Sequence, residues 1–284
     1  MSTPGPNSRH WEINGLRLEG LCWGEPGSEP VLCLHGWLDN AASFSLLAPL
    51  LTGFHVVALD LSGHGQSARR SADAGYQIWD DLPEIMGVLD ELGWDQFSLL
   101  GHSRGAIISS MLASTLPQRV RRLVLLDAIS PPPVDEAEFP LQMAKFLQDK
   151  PRLLRRKTRV FATIEEAVAS RVDNGLSEDS ARLLAERNLR PCSGGYTWTT
   201  DPRLRGASAV KLTEGQIRAV WEALTMPTLL LMAERGAGAH PEVALTAQRH
   251  VPDLTLEKMP GGHHFHMEGC VTEVAQRVRR FLQV

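Results

Sequence analysis

The chain has 284 residues, of which 43% are hydrophobic, so it can bury one large core with a small appended unit. Its formal net charge of −4 excludes the clear basic excess that favours a nucleic-acid partner. The amino terminus lacks the basic start and apolar stretch of a signal peptide, and no apolar run approaches the roughly 18–20 residues of a membrane helix. We therefore expect a cytoplasmic protein without stable membrane insertion, and the sequence indicates no oligomeric state.

Five short apolar runs rich in valine and leucine indicate the strands of a sheet. Their hydrophobicity is continuous rather than alternating, as is typical of strands covered on both faces in a parallel sheet. Amphipathic stretches between them predict helices, one of which runs over 78–89 and ends near Gly93, a residue suited to a helix C-cap. We therefore predict an α/β fold with a mostly parallel central sheet covered by helices on both faces. The five runs are Val31–Leu34, His55–Leu59, Phe97–Leu100, Leu123–Leu126 and Thr228–Met232.

Residues 130–210 interrupt this alternation of strands and helices. Three consecutive prolines at 131–133 end the preceding element, and the stretch that follows is helical in composition. We predict that 130–210, called the cap segment below, is a helical cap inserted into a core made of 1–129 and 211–284. Its basic cluster indicates a solvated face, with contact to an anionic membrane as the functional alternative. The cluster comprises Lys150, Arg152, Arg155, Arg156, Lys157 and Arg159.

The segment Gly101-His102-Ser103-Arg104-Gly105 follows one apolar run and precedes a stretch of helical composition. This G-x-S-x-G pattern in a strand–turn–helix context predicts a nucleophile elbow, whose tight, strained turn projects the serine hydroxyl into a cleft. Ser103 is therefore the predicted nucleophile of acyl transfer. The helix that begins there directs unpaired N–H groups at the site, so the backbone N–H of Arg104 is a predicted oxyanion donor. We expect the Arg104 side chain in a structural salt bridge, with an anionic substrate group as the alternative.

Two further segments accompany the elbow: His35-Gly36-Trp37-Leu38-Asp39-Asn40 and Asp60-Leu61-Ser62-Gly63-His64-Gly65-Gln66-Ser67. With these motifs, in this order, the chain resembles the α/β-hydrolase family over nearly its whole length. Together with Asp201-Pro202-Arg203-Leu204, the first segment most resembles the branch of serine hydrolase-like proteins. The resemblance implies an α/β-hydrolase fold and a second oxyanion-hole N–H from Trp37, the residue after His-Gly. A nucleophilic serine separates the chain from epoxide hydrolases and haloalkane dehalogenases of this fold, which use aspartate there.

A base must remove the proton of the serine hydroxyl, and three histidines cluster near the carboxyl end of the chain. The family pattern is a glycine, the catalytic histidine and a second histidine three residues later. This resemblance selects His263 as the base with His266 as its companion, and His264 is the alternative. The cluster also suggests a metal site, but adjacent histidines do not easily aim at one ion and no remote ligand set is evident. We expect no metal and no cofactor.

The acid that orients the histidine departs from the usual family pattern. In most of the family it is an aspartate in the loop after the strand over 228–232, but this chain has Gly236 at that position and no aspartate in the loop. We prefer Asp127, at the end of the strand after the nucleophile helix, where some α/β-hydrolases carry the acid. Glu234 is the alternative. A third interpretation is an incomplete triad and a poor enzyme, since loss of the acid usually costs several orders of magnitude in rate.

These residues predict hydrolysis of a small-molecule carboxylic ester through an acyl-enzyme, as in a carboxylesterase. Aromatic side chains of the cap segment should close over an apolar pocket that favours small or medium acyl chains. The same residues could hydrolyse a thioester, a lactone or a carbon–carbon bond, because the fold alone does not determine the chemistry. The alternative from another class is a catalytically weak or inactive member that binds a small ligand. The predicted substrate-binding residues are Trp37, His102, Trp198 and Phe146.

Overall fold

The computed structural model describes residues 5–173, 175–235 and 241–283. Each of the five apolar runs lies within one strand, so their assignment is confirmed. The strands are β1 (Asn7–Ile13), β2 (Leu16–Trp23), β3 (Glu29–Leu34), β4 (Phe54–Asp60), β5 (Phe97–His102), β6 (Val120–Leu126), β7 (Val160–Phe161), β8 (Leu189–Cys192), β9 (Gly195–Trp198), β10 (Thr228–Arg235) and β11 (Leu254–Gly262). The α-helices are α1 (Asp81–Leu92), α2 (Arg104–Thr115), α3 (Phe139–Leu154), α4 (Ile164–Val172), α5 (Glu178–Asn188), α6 (Glu214–Glu222), α7 (Pro241–His250) and α8 (Val271–Gln283).

The main sheet has the strand order β1-β2-β4-β3-β5-β6-β10-β11. β2 pairs antiparallel with both β1 and β4, whereas the other neighbouring strands run parallel. Asn14 and Gly15, both with positive φ, form the two-residue turn between β1 and β2. The mostly parallel sheet expected from the sequence is therefore confirmed.

Helices cover both faces of this sheet, and successive strand residues alternate between two cores. In β3, Leu32 and Leu34 belong to the core that includes residues of α1, α2, α6 and α7. Val31 and Cys33 belong to the other core, together with residues of α8. Because both faces are covered, neither set of alternating positions is polar, which explains the continuous hydrophobicity of these runs. Within the described ranges, no helix is long and apolar enough to cross a membrane.

The cap segment contains α3, α4 and α5 and also a small antiparallel sheet of order β7-β9-β8, which a helical cap does not predict. Its β8–β9 hairpin turns at Gly194 and Gly195, both with positive φ. A Cβ on Gly195 would lie 2.1 Å from the Phe161 carbonyl oxygen, so this close approach of β9 to β7 requires glycine. The cap segment therefore contains both helices and strands rather than helices alone.

Candidate active site

Ser103 joins β5 to α2 in the tight turn that its flanking glycines predict. Its backbone has φ 51° and ψ −115°, a strained conformation for a residue with a side chain. A Cβ on Gly105 would lie 2.0 Å from the Leu34 carbonyl oxygen, and a Cβ on Gly101 would lie 2.5 Å from the Cα of Ala106. The backbones of β3, β5 and α2 thus approach so closely that only glycine fits on either side of the serine.

Asp127 lies at the border between β6 and β10, which pair in parallel. It follows β6 with φ 56°, in the left-handed region. Its N–H donates to the Leu231 carbonyl oxygen at 2.8 Å, and its Oδ1 accepts from the Ala233 N–H at 2.8 Å. The backbone of β10 therefore holds a carboxylate that β6 supplies.

The other carboxylate oxygen of Asp127 accepts a hydrogen bond from His263 Nδ1 at 2.6 Å. This bond places the proton of a neutral imidazole on Nδ1 and leaves the lone pair on Nε2. Asp127 is fully buried, whereas 23% of the His263 side chain is exposed. Glu234, the alternative acid, is exposed near the end of β10 and forms no hydrogen bond or ion pair with any residue the structure describes. Gly236 lies outside the described residues.

His102 connects the loop of the serine to the loop of the histidine. It directly precedes Ser103, and its Nε2–H donates to the His263 carbonyl oxygen at 2.9 Å. Burial, together with the neighbouring His266 and His264, holds the pKa of His102 well below its usual value. The ring of His102, a predicted substrate-binding residue, is fully buried, and its hydrogen bond joins the two loops.

The two amides predicted to form the oxyanion hole remain available as donors. Arg104 is the first residue of α2, and Trp37 lies in the loop after β3. In the part of the chain that the structure describes, neither N–H donates to a backbone carbonyl in a turn or loop. Leu38, with φ 62°, holds the loop in a left-handed conformation directly after Trp37. Unpaired amide donors beside a nucleophile are what a tetrahedral oxyanion requires.

The Arg104 side chain lies in a mostly buried ion network. Its guanidinium donates to Asp81 at 2.6 Å, and Asp81 also accepts from Arg70 at 2.9 Å. Asp81 begins α1, so the network joins the first turns of α1 and α2. The contact is the structural salt bridge expected from the sequence.

Asp39, in the loop after β3, binds two side chains beside the site. Its Oδ2 accepts from His264 Nε2 at 3.1 Å, and its Oδ1 lies 3.7 Å from the Arg171 guanidinium. Burial alone would raise the pKa of Asp39. The hydrogen bond from His264 and the charges of His264 and Arg171 outweigh burial and hold that pKa below its usual range. Asp39 is therefore an ionised carboxylate that joins the His264 loop to the cap segment.

Among the described residues, Asp39, His102 and His264 form the set that could hold a metal ion, since one ligand atom of each lies within 4.8 Å of the others. His102 Nδ1 has no hydrogen-bond partner there and carries a lone pair, because Nε2 holds the proton. No remote ligand for the neighbouring histidines is evident in the sequence, whereas the fold brings Asp39 and His102, both distant along the chain, close to His264. In the sequence, His102 ends one strand of the parallel sheet and Asp39 lies in the loop after another, so both lie toward the carboxyl ends of its strands.

A cavity of about 610 Å³ opens between the loop after β3 and the cap segment. Trp37 and Trp198, two of the predicted substrate-binding residues, line it together with His264. Phe146 lies in a different pocket, with Tyr76. The structure therefore brings two of the three predicted aromatic residues to one cavity beside the candidate site and places the third elsewhere.

A family model for the α/β hydrolase fold matches residues 29–269. A serine hydrolase-like protein of Danio rerio is 32% identical over 282 residues, covering 94% of this chain and 85% of the relative. A 2-(acetamidomethylene)succinate hydrolase of Mesorhizobium japonicum is 27% identical and covers 85% of this chain and 84% of the relative. The crystal structure of a hypothetical protein from Pseudomonas aeruginosa PAO1 has a TM-score of 0.90 at 38% identity, covering 97% of each chain. The chain therefore belongs to the α/β-hydrolase family, and its relatives include serine hydrolase-like proteins.

Proposed function

We propose that the protein is a serine hydrolase that cleaves small or medium carboxylic esters through an acyl-enzyme. The observation that carries the proposal is the 2.6 Å hydrogen bond from His263 Nδ1 to the buried Asp127 carboxylate, in a chain with a strained turn at Ser103. A buried carboxylate that fixes the tautomer of a partly exposed imidazole makes that imidazole a suitable general base. Membership of the α/β-hydrolase family supports hydrolysis as the reaction class.

In the proposed reaction, Ser103 Oγ attacks the ester carbonyl while His263 Nε2 accepts the hydroxyl proton. Asp127 stabilises the imidazolium, and the N–H groups of Trp37 and Arg104 donate to the oxyanion. Collapse of the tetrahedral intermediate breaks the bond to the alcohol, which leaves with the proton from His263. Water then attacks the acyl-enzyme and gives its proton to His263, which returns it to Ser103 as the acid is released.

We also propose that the cap segment is a unit inserted into the core and limits the length of the acyl chain. Trp37 Nε1 donates to the Leu204 carbonyl oxygen at 2.8 Å, and Arg171 donates to the Leu38 carbonyl oxygen. Both contacts join the cap segment to the loop that carries the proposed Trp37 oxyanion donor. A cap held against this loop confines the space beside the reacting carbonyl, which favours short or medium chains.

A second candidate keeps the nucleophile and changes the bond that is cleaved. One relative is named for hydrolysing 2-(acetamidomethylene)succinate, which is not a simple carboxylic ester. Ser103 could attack the carbonyl of a thioester or a lactone as well as that of an ester, because the fold does not determine which bond is cleaved. Initial rates on matched esters, thioesters and lactones with the same acyl chain distinguish these reactions, and the ester proposal requires the ester to have the highest kcat/KM.

Labelling with a fluorophosphonate probe tests the nucleophile itself. We expect the wild-type protein to be labelled and Ser103→Ala to be unlabelled and inactive on p-nitrophenyl butyrate. Ser114→Ala is the matched control, since Ser114 lies on α2 and donates its hydroxyl to the Met111 carbonyl oxygen. An unlabelled wild type, or equal labelling of Ser103→Ala, would show that the protein is not a hydrolase of this mechanism.

A further inference from the structure

The 610 Å³ cavity beside the candidate site has a strongly cationic lining. On the core side it is bounded by Trp37, whose amide is a proposed oxyanion donor, and by His264, which follows His263 in the chain. On the cap side, basic residues predominate. The five cations that line it are Arg156, Lys157, Arg159, Arg171 and Arg205.

The two carboxylates in the lining do not balance these cations. Asp39 is already bound to His264 and Arg171, and Asp201 is bound to Arg203 at 2.7 Å, outside the lining. The remaining four basic residues of the lining have no ion pair with any carboxylate that the structure describes. The cavity therefore carries an excess of positive charge beside Trp37 and His264.

Aromatic rings hold three of these guanidinium groups in position. Arg159 lies 4.6 Å above the ring of Phe161, Arg205 lies 5.7 Å from that of Trp37, and Arg171 lies 5.7 Å from that of Trp198. Stacking occupies the flat face of a guanidinium and leaves its N–H edges for hydrogen bonds. Arg171 already donates to the Leu38 carbonyl oxygen, so Arg159 and Arg205 present the free edges.

Crowding of like charges is visible at Arg205. Burial, together with the nearby Arg156 and Arg171, lowers the pKa of Arg205. An anion bound among these groups would relieve the repulsion between them.

The basic cluster seen in the sequence does not form one face. Lys150 Nζ donates to the Asp73 carbonyl oxygen at 2.7 Å, and Arg152 pairs with Asp149 at 2.6 Å. Arg156, Lys157 and Arg159 instead line the cavity. A concave, aromatic-walled arrangement suits a small anion better than the flat surface of a membrane.

We propose that this cavity binds an anionic group of the substrate, so that the preferred substrate carries a carboxylate or a phosphate remote from the bond that is cleaved. The inference rests on the proposed function, since it assigns the substrate class of the same site. A carboxylate and a phosphate share the chemistry of an oxyanion that accepts from several guanidinium N–H groups.

Two pairs of matched substrates test the proposal and separate its two sources of charge. The first pair is the p-nitrophenyl half-ester of adipic acid and the same compound with its free carboxylate methylated. The second pair is butyryl-coenzyme A, which bears phosphates, and the neutral butyryl-N-acetylcysteamine thioester. We expect the wild-type protein to show a higher kcat/KM for the charged member than for the neutral member in at least one of the two pairs. This preference should fall as the sodium chloride concentration is raised.

Substitutions in the lining should reduce this preference. Arg156→Gln and Arg205→Gln are each expected to lower the charged-to-neutral ratio of kcat/KM by about threefold to fivefold, the effect of one partly screened ionic contact. Arg155→Gln is the matched control, because Arg155 is the exposed neighbour of Arg156 and does not line the cavity. It should leave both rates near those of the wild type.

Two results would overturn the inference while leaving the proposed function intact. One is a ratio near one in both pairs, or a ratio that Arg156→Gln and Arg205→Gln leave unchanged. The other is loss of binding to phosphatidylserine vesicles in Arg156→Gln with unchanged substrate ratios, which would assign the cations to a membrane contact.

Calorimetric titration of Ser103→Ala with adipate tests the cavity without turnover. If no substrate is cleaved and no probe labels Ser103, the proposed function fails, and this titration alone decides whether the anion site exists.

Discussion

Asp127 and Glu234 are the two carboxylates that compete for the role of triad acid, and their surroundings differ sharply. Asp127 is buried and accepts from His263 Nδ1 at 2.6 Å, whereas Glu234 is exposed. We expect Asp127→Asn to lower kcat for p-nitrophenyl butyrate by about 10⁴-fold, because an amide at this place favours the wrong imidazole tautomer. Glu234→Gln is the matched control and should retain wild-type kcat. The reverse pattern in the two variants would assign the acid to Glu234.

Single residues of the proposed site differ in how far the sequence can predict them. Ser103 and His263 each stand in a local pattern with glycines, so their candidacy follows from neighbouring residues. Asp127 requires one further step, because its candidacy depends on β6 and β10 being neighbours in the sheet. The positions of Asp39 and His102 result from contacts between loops far apart in the chain, which no local pattern encodes.

At the scale of elements, one buried ion pair anchors the cap helix α5 to the core. Asp60, at the end of β4, is fully buried and accepts from the Ala41 N–H at 2.7 Å, the Gln66 N–H at 2.8 Å and the Arg187 Nε–H at 3.0 Å. Arg187→Leu removes the charged partner and leaves the carboxylate buried. We expect the free energy of unfolding, measured by urea titration with tryptophan fluorescence, to fall by about 3–5 kcal/mol.

Arg182 provides a control on the same helix. Its side chain is partly exposed, with its nearest ion pair to Glu178 at 3.4 Å. Arg182→Leu should therefore change the free energy of unfolding by less than about 1 kcal/mol. Equal losses in Arg182→Leu and Arg187→Leu would mean that the buried pair is not what holds the helix.

Elements that bury a continuous apolar surface are predictable, and short paired strands are not. The helix expected over 78–89 begins with a 3-10 turn at Ile78–Asp80, continues as α1 and ends at Gly93, which has φ 68°. β8 and β9 have four residues each and lack any apolar run, so only their pairing with each other and with β7 defines them. Pro191 fits in β8 because that strand lies at the edge of the small sheet.

At the scale of the whole molecule, the candidate site lies along one edge of the main sheet. Trp37 follows β3, Ser103 follows β5, Asp127 follows β6 and His263 follows β11, all of which run parallel. The carboxyl ends of parallel strands meet at one edge, so the order of motifs along the chain is enough to predict where the chemistry gathers. The pairing of the cap segment's short strands depends instead on contacts between residues distant in the chain, which is why its small sheet is not predicted.

The net charge of −4 does not describe the electrostatic potential inside the cavity where a substrate would bind. Charges of the whole chain are spread over its surface and screened by salt, whereas the cavity concentrates five cations beside the loop that carries Trp37. An anionic substrate would therefore be attracted locally by a protein that is acidic overall. This difference between global and local charge explains why composition alone gives no indication of the proposed substrate class.

Buried imidazoles make the stability of the whole molecule sensitive to mild acid. Burial holds the pKa of His64, His102 and His266 well below 6.5, whereas the unfolded chain titrates near that value. Below it the unfolded state binds more protons than the folded state, so the free energy of unfolding falls as the pH falls. At about pH 5.5 each histidine contributes a loss of about 1.4 kcal/mol, or up to about 4 kcal/mol for three. Asp39 has the same dependence in a lower pH window, since its depressed pKa contributes stability above about 3.8 that is lost as the pH falls below that value.

Urea unfolding at about pH 7.5 and about pH 5.5 measures this loss directly. His266→Gln removes one of the buried titrating groups and should reduce the difference between the two pH values by about 1.4 kcal/mol. His10→Gln is the control, because His10 is exposed on β1 and should leave the difference unchanged. If His266→Gln does not fold, the wild-type comparison still tests the argument. A wild type equally stable at both pH values would mean that these imidazoles gain protons in the folded protein as readily as in the unfolded chain.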